Sequence, residues 1–305
     1  MTNKFLFVVV LVFGGLGLTE TALALDGRAR TYYGDEFDRL VRQNSSPNRA
    51  GRPGDQDLQV EQDQLVKLLK KVLRNYHEPQ EGGFDRIVDR CSQSNCFKHH
   101  AVGYNSARKI LLGDMYLKET PSGYAVSEVY CEKDYVAADF PNGEGPGPDK
   151  IPANAVVNIE HTWPQSRFNS NMPKDEQKSD LHHLYPSDSQ MNSTRGNFEF
   201  GEVDEDIKDL KCHTARFGRV NGATGSPIFE PPTSHKGRVA RALFYFSIKY
   251  DLPISRQEEA FLRTWNHDYP VTPEEQERND RVFELQGSRN PFVDHPEIIS
   301  KIQDF

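Results

Sequence analysis

Apolar positions along the chain set its expected elements. Leu65, Leu68, Leu69, Val72, Leu73 and Tyr76 recur at three- and four-residue intervals, the spacing that puts side chains on one face of an α-helix. Lys67, Lys70, Lys71 and Arg74 fall between them and form the solvated side. The stretch GYNSARKILLGDMYL (103–117) predicts a second helix, with Ala107, Ile110 and Leu111 on one side. GYAVSEVYC (123–131) alternates instead, which predicts a strand. PNGEGPGP (141–148) can hold no regular structure and is a loop. It is the best internal boundary, but the half before it lacks a core of its own, so the pattern predicts one domain. AVVNIEH (155–161) reads as a short apolar strand and LHHLYPSD (181–188) as another. A helix starts near 188, with Ser187 or Asp188 as its cap. VARALFYFSIKYDL (239–252) reads as a buried helix. EEQERNDRVFELQGSRNPFVDHPEII predicts a charged helix, a glycine stop and an extended tail, and no internal repeat is visible.

The N-terminus changes the compartment. Lys4 precedes the apolar run FLFVVVLVFGGLGL, and Ala22-Leu23-Ala24 follows it. This is the pattern of a secretory signal peptide over residues 1–24. The fourteen residues from Phe5 to Leu18 fall short of the roughly 20 needed to span a bilayer. No later segment is apolar enough to cross one, so a soluble exported protein is expected, periplasmic or secreted. Residues 25–57 are polar and end in SSPNRAGRPGDQD. They predict a mobile leader, which leaves 58–305 for the domain.

Charge narrows the partners. The formal net charge is −8, and the signal segment carries only Lys4 and Glu20, which cancel. An acidic protein meets a polyanion through a local basic surface or not at all. Arg108, Lys109, Lys211, Arg216, Arg219, Lys236, Arg238 and Arg241 are spread through segments that can flank one cleft. The four cysteines, Cys91, Cys96, Cys131 and Cys212, form an even set that favours disulfides in an exported chain. Three pairings are open. The short loop between Cys91 and Cys96 favours that pair, with Cys131–Cys212 as the second. A zinc site with nearby histidines is the competing reading.

One constellation carries chemistry. Hard divalent cations take oxygen ligands, and a neutral imidazole nearby can accept a proton from water. Glu160, His161 and Asn192 supply a carboxylate, an imidazole and an amide oxygen. Glu160 and His161 are neighbours, and in a regular strand they face opposite ways. Pro164 ends normal pairing, so a bulge after the strand is expected to turn both toward one cleft.

The segments EHTWPQS, KSDLHHLYPSD and MNSTRGNF together resemble the bacterial periplasmic or secreted endonuclease I family of ββα-metal (His-Me finger) nucleases. HHAVGYNSARKILLG and RNDRVFELQGSRNPFVDHPE extend the resemblance to residues 60–297. It implies an α+β fold, a mainly helical single domain around a small ββα-metal core, with 58–305 as the catalytic domain. By position, His161 is implied as general base, with Glu160 and Asn192 as ligands of Mg²⁺, or of Mn²⁺ or Ca²⁺. The implied substrate is DNA, often RNA too, cut without sequence preference to leave 5′-phosphate ends. A loop arginine is implied at the phosphate after cleavage. Arg167 is the candidate, with Lys174 in the same loop. Of the adjacent histidines, the resemblance favours His182 near the cleft. Arg195 is expected to tie its helix to an acidic partner such as Asp180. A monomer is expected. Two other classes remain: an exported nucleic-acid-binding protein without catalysis, and a zinc hydrolase using His99, His182 and His183. The second lacks the ligand spacing of known zinc motifs.

Overall fold

The computed structural model describes residues 28–43, 55–220 and 225–305. The signal peptide expected over 1–24 lies outside them. The described chain opens with helices α1 (Gly34–Gln43) and α2 (Asp55–Arg74). Strands β1 (Tyr76–Glu78) and β2 (Arg86–Val88) pair next. Helix α3 (Tyr104–Ile110) runs into a π-helical turn, Leu111–Met115. A three-stranded meander follows, made of β3 (Leu117–Thr120), β4 (Gly123–Ser127) and β5 (Asp134–Val136). Strands β6 (Val157–His161) and β7 (Leu184–Asp188) form a ribbon of their own, with α4 (Lys174–Ser179) in the connection. Helix α5 (Ser189–Arg195) leaves β7 directly. Strands β8 (Glu199–Phe200), β9 (Glu205–Lys208), β10 (Arg216–Arg219) and β11 (Ile228–Glu230) make a sheet in the order β8-β11-β10-β9. Then come α6 (Thr233–Tyr250), α7 (Arg256–Asp268), α8 (Pro273–Gln286) and the short α9 (Pro291–Asp294). Small sheets beside separate helices make this an α+β fold.

Helix α6 is buried on nearly every side, its charged Lys236, Arg241 and Lys249 included. The periodic face of α2, at Leu65, Leu68, Leu69, Val72 and Leu73, packs on it, and α7 flanks it on another side. A second apolar cluster joins Ala107, Leu111 and Leu112 to Val157, Ile159, Leu181, Leu184 and Val282. This cluster fixes α3 against the β6–β7 ribbon. Helix α8 stops at Gly287, which has φ 70°. A side chain there would be strained and would also press on the Lys98 carbonyl.

Several expectations change. Residues 28–43, inside the stretch read as a mobile leader, are packed: Tyr32 is 1% exposed and stacks on His77. Arg28 grips Asp85 with two hydrogen bonds, and the Tyr33 hydroxyl donates to Asp294. The polar average of the leader hid this aromatic stripe. The strand at 123–131 ends at Ser127, because the buried Glu128 carboxylate draws in the backbone N–H groups of Tyr130, Cys131 and Lys133. Residues 181–183 are a 3-10 turn, not strand. The tail is not extended but forms α9 and the 3-10 helix Pro296–Lys301.

The cysteines pair as Cys91–Cys96 and Cys131–Cys212. The second bridge spans 81 residues and the first only 5. Loop-closure entropy then assigns about 4 kcal/mol to the long bridge and about 2 kcal/mol to the short one. In urea denaturation, Cys131→Ser with Cys212→Ser should therefore cost about twice as much as Cys91→Ser with Cys96→Ser. Equal losses would show that chain entropy does not govern these bridges.

Candidate active site

The β6–β7 ribbon pairs five residues with no register shift, from Val157↔Asp188 to His161↔Leu184. Within these pairs Glu160 and His161 keep the alternation of a regular strand, so the expected twist or bulge after His161 does not turn both to one face. Val157 and Ile159 turn into the cluster built on α3. His161 follows them, its ring 5.3 Å from that of Tyr104 at the start of α3. Asn158 and Glu160 face the other way, against α5.

Helix α5 grips that second face at two points. Its cap is Asp188, whose carboxylate accepts the backbone N–H groups of Gln190 and Met191. Asn192 Nδ2 donates to Asn158 Oδ1 at 2.7 Å. One turn later, Arg195 forms an ion pair with Glu160, Nη1 to Oε1, at 2.9 Å. Residues i and i+3 of the helix thus meet residues i and i+2 of the strand. Asn158 and Glu160 are separated by one pleat repeat, about 7 Å, so Asn192 and Arg195 grip the same face of β6 one repeat apart. Arg195 is bound in turn by backbone carbonyls, Nη1 to His161 at 2.9 Å and Nη2 to Thr162 at 2.6 Å. Its acidic partner is Glu160, not Asp180 as the sequence suggested.

The two faces differ in electrostatics. Glu160 is 1% exposed. Burial pushes its carboxyl up to about 7, against the opposing pull of Arg195. Its Oε1 accepts no hydrogen bond despite the nearby guanidinium. The carboxylate is compensated by the Arg195 guanidinium and adjoins the Tyr130 hydroxyl, so a cation there would share it with Arg195. With the amide oxygen of Asn192, the carboxylate makes an all-oxygen donor pair of the kind hard divalent cations prefer. The pair fits such an ion.

On the other face, burial pulls His161 down to about 4, so the ring is neutral at pH 7. Its Nε2 lies 3.1 Å from the Lys178 carbonyl. A carbonyl only accepts, so Nε2 carries the proton and Nδ1 keeps its lone pair. Nδ1 points toward the exposed turn after Pro164, where the Gln165 amide stands 3.5 Å away. An imidazole held this way can take a proton from water.

Other expected site residues lie elsewhere. Asp180 is a buried hub that accepts from Tyr245, Lys249, Tyr250 and Gln286. His182 turns from the ribbon to donate to the Ser288 carbonyl at 2.9 Å. The histidine beside His161 is His183, with ring centroids 5.4 Å apart. The 3-10 turn rotates the pair relative to a strand, and this the sequence did not reveal. His99 contacts Ser288 and His183 contacts the Gln177 carbonyl. Among the described residues, no group of three or more His, Cys, Asp or Glu could hold a metal together. Arg167 is 26% exposed, pairs with Glu258 and lies over Trp163. The expected basic cleft is largely neutralised: Lys211 pairs with Asp188, Arg216 with Asp206, Lys236 with Glu202 and Glu230, and Arg241 with Glu275. Tyr104, Gln165 and Lys178 adjoin the imidazole, although no spacing rule marked them.

The family described as Endonuclease I matches residues 93–297. The chain is 34% identical over 118 residues to an endonuclease-1 of Buchnera aphidicola subsp. Acyrthosiphon pisum, covering 38% of this chain and 44% of that protein. It is 33% identical over 163 residues to an extracellular ribonuclease of Bacillus subtilis, covering 48% and 53% respectively. An extracellular deoxyribonuclease of Aeromonas hydrophila is 29% identical over 120 residues, or 38% of this chain and 49% of that one. The chain spans about half the length of the curated relatives it matches.

Proposed function

This chain belongs to the endonuclease I family, and on that premise we propose that it is an exported, metal-dependent endonuclease. It hydrolyses phosphodiester bonds of DNA, and of RNA as well, with little sequence preference. The observation that carries this reading is the neutral His161, its Nδ1 facing the Gln165 amide, on the strand that also carries Glu160 and packs against the helix that carries Asn192. Relatives named as deoxyribonuclease and as ribonuclease support both substrates. Their extracellular location supports export.

In this reading β6, β7 and α5 are the ββα-metal unit. Glu160 and Asn192 hold the cation, Mg²⁺ first, with Mn²⁺ or Ca²⁺ as substitutes. Endonuclease I family nucleases generally depend on a divalent metal, and such an ion supplies Lewis-acid stabilisation of phosphate charge and of the departing oxygen. Among the described strands, β6 pairs with β7 alone. His161 Nδ1 takes the proton of the attacking water while the water oxygen bonds to phosphorus. The bond from phosphorus to the 3′ oxygen then breaks, leaving a 5′-phosphate and a 3′-hydroxyl. The Lys178 carbonyl holds the imidazole in the required tautomer. Arg195 locks the Glu160 carboxylate and the chain after His161. Arg167 reaches the product phosphate only by exchanging Glu258 for it.

Plasmid nicking by the purified protein tests this reading. Activity in Mg²⁺ should vanish with EDTA and return when Mg²⁺ is restored in excess. If DNA and RNA both stay intact in Mg²⁺, Mn²⁺ and Ca²⁺, the chain is a binding protein instead. Activity on an ester or peptide restored by Zn²⁺ alone would favour the zinc reading.

A further inference from the structure

Lys178 stands out among the cations near the site. The chain is acidic overall, and the cations Lys211, Arg216, Lys236 and Arg241 are each held by carboxylates. The Lys178 ammonium is not. Among the described residues it rests on the face of Tyr104, with Nζ 4.5 Å from the ring centroid. Both residues are half-buried. Tyr104 in turn lies 5.3 Å from the His161 ring, and the Lys178 carbonyl accepts the His161 Nε2–H. The three side chains therefore form one contiguous group on the His161 face of β6.

A cation held over an aromatic ring keeps its charge and gives up little hydration. It can move to a stronger anion without first breaking a salt bridge. The opposite face of β6 already carries Arg195, but that guanidinium is consumed by Glu160 and by two carbonyls. On the His161 face Arg108 is another cation near Tyr104, and it donates to the Asn154 amide oxygen.

We infer that the Lys178 ammonium binds a backbone phosphate of the nucleic-acid substrate beside His161, with Tyr104 as the platform that aims it. The inference rests on the nuclease reading above. Lys178 thus has two separable duties: its carbonyl orients the base, and its side chain grips substrate. The competing account gives Lys178 only the first duty, with its side chain at rest on the surface.

Side-chain substitution separates the two, because it leaves the carbonyl in place. Lys178→Met should raise KM about tenfold and change kcat less. Lys178→Arg should restore KM to within about threefold of wild type. Binding of a fluorescent DNA duplex, followed by anisotropy against salt concentration in a His161→Ala background, gives the second readout. Adding Lys178→Met should reduce the slope of log K against log[salt] by about one, the share of a single phosphate contact. Lys178→Arg should keep the slope. An unchanged slope with unchanged KM overturns the inference and leaves the nuclease reading standing. So does a fall in kcat alone with an unchanged slope, since the residue then acts only through the imidazole. If wild type neither cuts nor binds nucleic acid, both readings fall together.

Discussion

Replacing His161 by alanine should slow plasmid nicking by about 10²–10⁴-fold, the usual contribution of a positioned general base. The expectation follows from the ring's surroundings. Burial keeps it neutral, with its value near 4, so nearly every molecule at pH 7 has a lone pair ready. The Lys178 carbonyl occupies Nε2, which assigns that lone pair to Nδ1. The variant should still fold. Its structural losses are one hydrogen bond to a carbonyl, about 1–3 kcal/mol, and the ring's packing against Tyr104, Phe168 and His183, against a typical total of about 5–15 kcal/mol. Cation affinity, measured by calorimetry, should survive His161→Ala, because Glu160 and Asn192 lie on the other face of β6. Glu160→Gln should lose that affinity. A His161→Ala protein that nicks within tenfold of wild type would remove His161 from the role of base.

The largest effect on stability is expected at Asp180. Its carboxylate is fully buried and receives four side-chain donors: Tyr245, Lys249 and Tyr250 at 2.9 Å each and Gln286 at 2.8 Å. Burial alone would raise its carboxyl, but the ammonium of Lys249 overrides this and holds it well below the usual range. Asp180→Asn leaves the buried Lys249 with only the more distant Glu176, at 3.8 Å, as counter-charge, and breaking a buried pair costs about 3–5 kcal/mol. For a chain of this size that is a fall of roughly 10 °C in Tm. Adding Lys249→Met to Asp180→Asn should recover most of the loss, because the unpaired charge is gone. The pH dependence has a definite sign. A carboxyl whose folded value is depressed contributes stability fully present above its unfolded value, near 4, and lost as the pH falls through the folded value. Asp180→Asn should therefore flatten the acid limb of the stability curve below pH 4. A loss under 1 kcal/mol would show that water reaches the hub and shares the charge.

Asp180 also shows where sequence reading reached its limit. Its place in KSDLHHLYPSD, next to the two histidines, suggested a site residue. Its partners come instead from α6 and from Gln286 at the end of α8, far along the chain. Nothing local distinguishes a carboxylate that anchors three helices from one that serves a reaction. His182 and His183 make the same point at closer range. Read as strand, either could face the site. The 3-10 turn Leu181–His183 has three residues per turn, so His183 swings to His161 and His182 to Ser288.

What the sequence determined by itself was what local physics controls. The period of apolar residues marked α2 and α6, Asp188 marked the start of α5, and Gly287 marked the end of α8. The short apolar run at 155–161 placed a strand under Glu160 and His161. The motif segments identified the family, because each is a short run of contiguous residues. Only the tertiary structure decided which cations stay unpaired, which histidine meets the base, and which carboxylate Arg195 binds. It also showed that residues 28–43 pack as part of the fold, through tyrosines whose partners lie some 50 to 260 residues away. Those outcomes depend on partners brought together by packing, and a pairing that spans the chain leaves no period for a sequence to display.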